Sequence, residues 1–132
     1  MATTIGIVSL AYCAGCEVAL ASTERFCELL SNDAIRIGYS TLLVDADKLE
    51  SVDVLLVTGS IRTREDVAAV KEASRRALKV VAFGSCACYG GLPGLANTID
   101  RKEMIGGVFG SVEPTVTGAR PELTRFVVPI EE

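Results

Sequence analysis

Five cysteines carry most of the chemistry available to this sequence, and their spacing is informative. Cys13 and Cys16 form a C-x2-C pair, Cys86 and Cys88 a C-x-C pair, and Cys27 stands alone. Histidine is absent, which removes the commonest general base and the imidazole metal ligands. Any metal must therefore be held by thiolates or carboxylates. An odd cysteine count in such groups points to metal or redox chemistry more than to disulfide staples. Thiolates are soft ligands and suit an iron–sulfur cluster. Cys13, Cys16 and Cys86 are the candidate ligands, because glycines beside them (Gly15, Gly84, Gly90, Gly91) allow close backbone approach. Cys27, beside Phe26, and Cys88 read as small hydrophobic residues.

The elements that must position these thiols are legible as apolar runs. Ile5 to Leu10 reads as a buried strand, and Glu17 to Leu30 as a helix with Val18, Leu20, Ala21, Phe26, Leu29 and Leu30 at helical spacing. Tyr39 to Val44 is a second expected strand, and Val52 to Val57 a third. Arg64 to Leu78 has helical periodicity, with Thr63 and Asp66 placed for a capping box. Lys79 to Phe83 closes the series as a strand. The runs 52–57 and 79–83 read as strands covered on both faces. Alternation of strand and helix predicts an α/β fold: a flavodoxin-like open, mostly parallel sheet with helices on both faces. The 132 residues fit a single domain, 1–132, loop-rich from about residue 92, where glycines and prolines interrupt the pattern.

In a parallel sheet the carboxyl ends of the strands share one edge, and ligands bind in the crevice there. Cys13 follows the first strand and Cys86 the last. The fold is thus expected to gather thiols some 70 residues apart in sequence. Thr58-Gly59-Ser60 follows another strand and is either a tight turn or a loop lining the same site. Glu17 is either a carboxylate at a helix's positive end or a proton-relay group beside the cluster.

Composition narrows the class. The net charge is −4 and the pI about 4.9, so no basic stripe is available for nucleic acid. No apolar run reaches the roughly 20 residues of a membrane helix, and the first residues show no secretory pattern. The reading is cytoplasmic, where thiols stay reduced. Two other functions compete with the cluster. A flavin- or nucleotide-binding module suits the fold class, but the first strand is not followed by G-x-G-x-x-G. A C-x2-C dithiol redox protein leaves Cys86 and its glycines unexplained.

With these residues assembled, the chain resembles the small electron-transfer subunit of nickel–iron hydrogenases. It looks nearest to those of the F420-reducing and F420-non-reducing enzymes, and is similar to the 20 kDa subunit of respiratory complex I. The matching stretches are Cys13-Ala-Gly-Cys16-Glu17, Val57-Thr58-Gly59-Ser60-Ile61 and the long run from Phe83 through Cys86 and Cys88 to Asn97. The resemblance implies a 4Fe–4S cluster on Cys13, Cys16 and Cys86. It also implies electron relay without catalysis by this chain. The implied partners are a large catalytic subunit of a hydrogenase-like complex and a further electron-transfer subunit. Glu17 matches an acidic position near the subunit contact, while Thr58 stands where many relatives carry glutamate. The family's fourth ligand lies in a downstream Gly-Cys-Pro-Pro segment, and this sequence ends Pro129-Ile130-Glu131-Glu132. A fragment, recruited Cys88, an open iron and a partner's thiolate are the alternatives, and the expectation is a short form relying on a partner. An apolar patch around Tyr12, Leu92, Pro93 and Leu95 is the expected docking surface.

Overall fold

The computed structural model describes residues 1–110 and 122–130. Three apolar runs become adjacent parallel strands. They are β1 (Thr3–Ser9), β3 (Val52–Thr58) and β5 (Ala77–Phe83). With β2 (Ile35–Tyr39) they form a four-stranded parallel sheet in the order β2-β1-β3-β5. The α/β reading with a mostly parallel sheet is borne out. Central β3 carries Val52, Leu55 and Val57, which are buried with Leu10 and Ala73 in the core. Only an interior strand has neighbours on both sides, which is why β3 holds the best-covered apolar residues.

The structure differs from the sequence reading in several places, among them the helix expected over Arg64 to Leu78, which ends at Ser74 because Ala77 and Leu78 join β5. The single helix expected over 17–30 is two, α1 (Gly15–Ala21) and α2 (Glu24–Ser31). Ser22 and Thr23 turn their hydroxyls back onto the carbonyls of Val18 and Ala19, and Thr23 adopts an extended backbone. Such hydroxyls compete for helix carbonyls, so the helix breaks there. The second strand lies at 35–39 rather than 39–44. Ser40, buried just after it, accepts from the amides of Leu42 and Leu43, which turns the chain out of the sheet. The start of β5 is exposed at Leu78, Lys79 and Val80, because β5 is an edge strand rather than a covered one. Finally, the weakly periodic stretch after Gly90 is not all loop. It holds α5 (Gly91–Gly94), a 3₁₀ turn (Leu95–Thr98), α6 (Arg101–Phe109) and β6 (Leu123–Val128). The expected glycine and proline punctuation at Pro114, Gly118 and Pro121 lies outside the described residues.

Strand β6 pairs antiparallel with β4 (Ile61–Thr63), a strand too short to leave a sequence pattern. Asn97 holds β6 by a two-way clasp. It accepts from the Val127 amide at 2.7 Å and donates to the Val127 carbonyl at 3.1 Å. Beyond β6, the Ile130 amide donates to the Ala87 carbonyl at 2.8 Å, so this end of the described chain lies against the Cys86 region.

Helix α3 (Arg64–Ser74) is capped as the sequence predicts. Thr63 Oγ1 accepts from the Asp66 amide at 3.2 Å, and Asp66 accepts from the Thr63 amide at 2.7 Å. Asp66 also takes the Arg62 amide at 2.9 Å, so one carboxylate holds both β4 and the helix start. Asp66→Ala is expected to cost about 1–2 kcal/mol, because two amides lose their acceptor. Urea denaturation measures that loss.

Candidate metal centre

The first cysteine loop leaves β1 after Ser9 and is pinned from two directions. The Leu10 amide donates to the Thr58 carbonyl at 2.9 Å. Ala11 and Ser60 exchange amide–carbonyl bonds of 3.2 and 3.0 Å. Between Thr58 and Ser60, Gly59 has φ +82°, and a Cβ there would stand 2.7 Å from the Ala11 carbonyl oxygen. Thr58-Gly59-Ser60 is therefore a tight turn that also braces the Cys13 loop. Cys13 is exposed at the loop's crest, and Gly15 leaves room beside its sulfur. Cys16 follows in the first turn of α1 and is half-buried.

The second cysteine stretch is a short helix rather than the expected loop. This α4 (Ser85–Tyr89) buries Cys86 and Ala87. Gly84 precedes it with φ 92° and ψ 166°, a backbone region that is essentially restricted to glycine. A Cβ on Gly84 would collide with Cys16 Sγ, so the backbone leading into α4 lies directly against that sulfur. Gly91, at φ +48°, plays the same part for the other thiol: its Cβ would stand 2.7 Å from Cys86 Sγ. Two glycines thus form the walls of a cradle around two sulfurs from distant parts of the chain.

The electrostatics report the same gathering. Burial pushes the Cys16 thiol above its ordinary value of 9.0, and Cys86, Cys13, Glu17 and Cys88 push it further in the same direction. A raised value means that the folded chain holds this proton more tightly than the unfolded chain. The sign follows: without metal, the stability this thiol contributes is present below pH 9.0 and lost as pH climbs above it. In the metal-free folded chain Cys16 is expected to alkylate more slowly at neutral pH than in urea, where its thiolate fraction is larger. Peptide mass spectrometry reads the two rates.

Cys27 stands apart. It is exposed rather than buried, with its thiol on the Ala21 carbonyl. Cys88 is half-buried and its thiol faces the Ala82 carbonyl at 3.6 Å. Among the described residues, no three Cys, Asp or Glu side chains close around a single metal ion. A cubane is wider than an ion and takes ligands that stand farther apart, so the soft donor set Cys13, Cys16 and Cys86 suits a cluster.

Glu17 is neither exposed nor near solvent: its exposure is 0%. Its Oε1 accepts from Ser9 Oγ and from Thr58 Oγ1 at 3.0 Å, and its Oε2 from Ser40 Oγ at 3.4 Å. The Ser40 oxygen already accepts two amides, which turns its hydroxyl hydrogen toward Glu17. Sequence reasoning missed Ser9 and Ser40. A serine closing the apolar run of β1 was the available signal, since a hydroxyl at a covered strand end needs a polar partner.

Residues 13–128 match the family described as NADH ubiquinone oxidoreductase, 20 Kd subunit. The chain belongs to that family. This 20 kDa-type chain is 31% identical to a subunit of the vhu F420-non-reducing hydrogenase of Methanocaldococcus jannaschii, over 100% of the chain and 48% of the relative. The gamma chain of the coenzyme F420 hydrogenase of Methanosarcina barkeri is 37% identical over 67% of the chain and 35% of the relative. The chain therefore spans about half the length, or less, of these curated relatives. In a crystal structure of an NAD+-reducing [NiFe]-hydrogenase, one chain superposes with a TM-score of 0.84 at 28% identity. That superposition covers 99% of this chain and 76% of the other. The resemblance seen in the sequence is borne out, and the chain is related to the small subunits of nickel–iron hydrogenases. No helix among the described residues is long and apolar enough to cross a membrane.

Proposed function

We propose that this chain is a non-catalytic electron-relay subunit whose Cys13, Cys16 and Cys86 hold a 4Fe–4S cluster in a hydrogenase-like complex. The observation that carries the reading is the glycine cradle, in which Gly84 backs the Cys16 sulfur and Gly91 the Cys86 sulfur. Glycine adopts positive φ without strain and leaves open the space a Cβ would take; that space lies against the Cys16 sulfur at Gly84, and against the Cys86 sulfur and backbone at Gly91. When bound, such a cluster supplies one-electron transfer, at a potential set by charge, hydrogen bonds and exposure. The chain's own part is to present three thiolates and to shield two of them: Cys86 is buried and Cys16 half-buried, while Cys13 is exposed.

The chain acts as one domain in this reading. Its partners are a large catalytic subunit and a further electron-transfer subunit, in the cytoplasm. Exposed Tyr89, Leu92 and Leu95 follow Cys86 and form the docking surface, with half-buried Pro93 among them and half-buried Tyr12 just before Cys13. Such apolar exposure next to a redox site suits a subunit contact. The test is anaerobic purification with co-expressed neighbouring chains, followed by iron, sulfide and EPR measurement. Equal iron and sulfide with a ferredoxin-type signal, and a large co-purifying chain, are the expected results. A flavin spectrum without iron, or a reversible Cys13–Cys16 disulfide without metal, would replace this function with one of its two competitors.

A further inference from the structure

A carboxylate removed completely from water is expensive unless donors surround it, and this chain places one beside a candidate ligand. Glu17 directly follows Cys16 and is 0% exposed. Its donors come from three different elements. Ser9 closes β1, Thr58 closes β3, and Ser40 immediately follows β2. These are neighbouring strands in the order β2-β1-β3, so a single side chain links their carboxyl ends. The same side chain belongs to the first turn of α1, which carries Cys16. Gly84 abuts the Cys16 sulfur itself. The thiol thus has a backbone wall against its sulfur and an anchored neighbour in the chain.

No salt bridge involves Glu17 among the described residues; its partners are hydroxyls. A helix-terminus carboxylate acting only on the dipole would gain by staying in water. This one is turned inward to the strand ends, where three hydroxyls replace water and no cation cancels its charge.

Resting on the cluster reading above, we infer that Glu17 is a positioning residue for the metal centre, which clamps the Cys16 turn to three strand ends and holds down the cluster's reduction potential. The clamp acts through geometry: the carboxylate fixes the first turn of α1, and with it the direction in which Cys16 presents its sulfur. The effect on potential is electrostatic. A fixed negative charge in a site shielded from water disfavours the arrival of an electron. The two effects are separable because one depends on shape and the other on charge.

The experiment uses the full chain, co-expressed with its neighbours and loaded anaerobically with iron and sulfide. Wild type, Glu17→Gln and Glu17→Asp are compared by iron per chain, EPR lineshape and dye-mediated redox titration. Glu17→Gln keeps the shape and removes the charge. It is expected to retain iron and favour reduction by about tenfold, an upward shift of about 59 mV for a one-electron couple. Glu17→Asp keeps the charge and withdraws it from the hydroxyls by one methylene. It is expected to broaden the EPR signal and loosen iron retention, while the potential moves far less than in Glu17→Gln.

An unchanged potential in iron-loaded Glu17→Gln overturns the electrostatic role. If Glu17→Gln does not fold, Glu17→Asp still decides the clamp, and a wild-type lineshape with full iron overturns it. Failure of the cluster reading itself is distinguishable, since the wild-type sample would then hold no iron, and the inference would fall with it.

Discussion

Cys86→Ala is expected to strip the chain of iron and of its visible charge-transfer absorbance while leaving its circular dichroism essentially unchanged. The thiol is buried in α4, a five-residue helix held on one side by Gly91 and on the other by the Ile130 amide on the Ala87 carbonyl. Alanine is smaller than cysteine and suits a helix, so the fold tolerates the exchange. What disappears is one of the three thiolates that the proposed cluster needs from this chain. Loss of groups that merely orient a ligand lowers metal affinity roughly 10–100-fold, and loss of a ligand is expected to exceed that. Cys27→Ala is the matched control: that thiol is exposed on α2 and bonded to the Ala21 carbonyl, so iron content should not move. Cys88→Ala separates two views of the fourth position. Retained iron would fit a thiolate from outside these 132 residues, and lost iron would point to Cys88 as a ligand. Wild-type iron content in Cys86→Ala would remove Cys86 from the site.

Gly84→Ala is expected to have the next largest effect, and for two independent reasons. Its φ of 92° and ψ of 166° fall where a side chain is strained, at a cost of about 1–3 kcal/mol. The added methyl would also collide with Cys16 Sγ. The strain is relieved by moving either α4 or the first turn of α1, and both movements separate Cys86 from Cys16. Iron retention should fall at least about tenfold, in line with the loss of an orienting contact, and the urea midpoint should fall as well. Gly94→Ala tests whether any added methyl has this effect. Gly94 has φ −61° and ψ −22°, and a Cβ there meets nothing within 4 Å. That variant is expected to be neutral or stabilised by about 0.4–1 kcal/mol, since alanine restricts the unfolded chain without straining the folded one. Equal iron retention in the two variants would mean that the Gly84 wall does not shape the site.

The glycine approaches and the Glu17 hydrogen bonds place the cysteine turns with little secondary structure around them. Helix α1 has seven residues and α4 five, too short to be stable alone. The turn of α1 and the loop before it are held from the strand ends, by Ser9, Ser40 and Thr58 through Glu17 and by Ser60 through Ala11. Helix α4 directly follows β5 and takes the Ile130 amide on its Ala87 carbonyl. The cysteine-bearing turn of α1 and the loop before it are fastened to the sheet's carboxyl edge.

Features that depend on near neighbours were readable from the chain alone. The apolar runs of β1, β3 and β5, the Thr63–Asp66 cap and the cysteine spacing are all local patterns, each contained within a few residues. Strand–helix alternation then implied a parallel sheet, and the parallel sheet implied one shared edge for Cys13 and Cys86. Other features needed the completed fold. Glu17 became a buried clamp because its hydroxyl partners lie 8, 23 and 41 residues away, beyond any local period. The helix read as continuous from Glu17 to Leu30 broke at Ser22 and Thr23, and its first part now directs Cys16 toward Gly84. Strand β4, three residues long, exists only because β6 arrives from some 60 residues further on to pair with it. Periodicity and capping act over one or two turns of chain, whereas burial and pairing depend on what distant segments bring alongside.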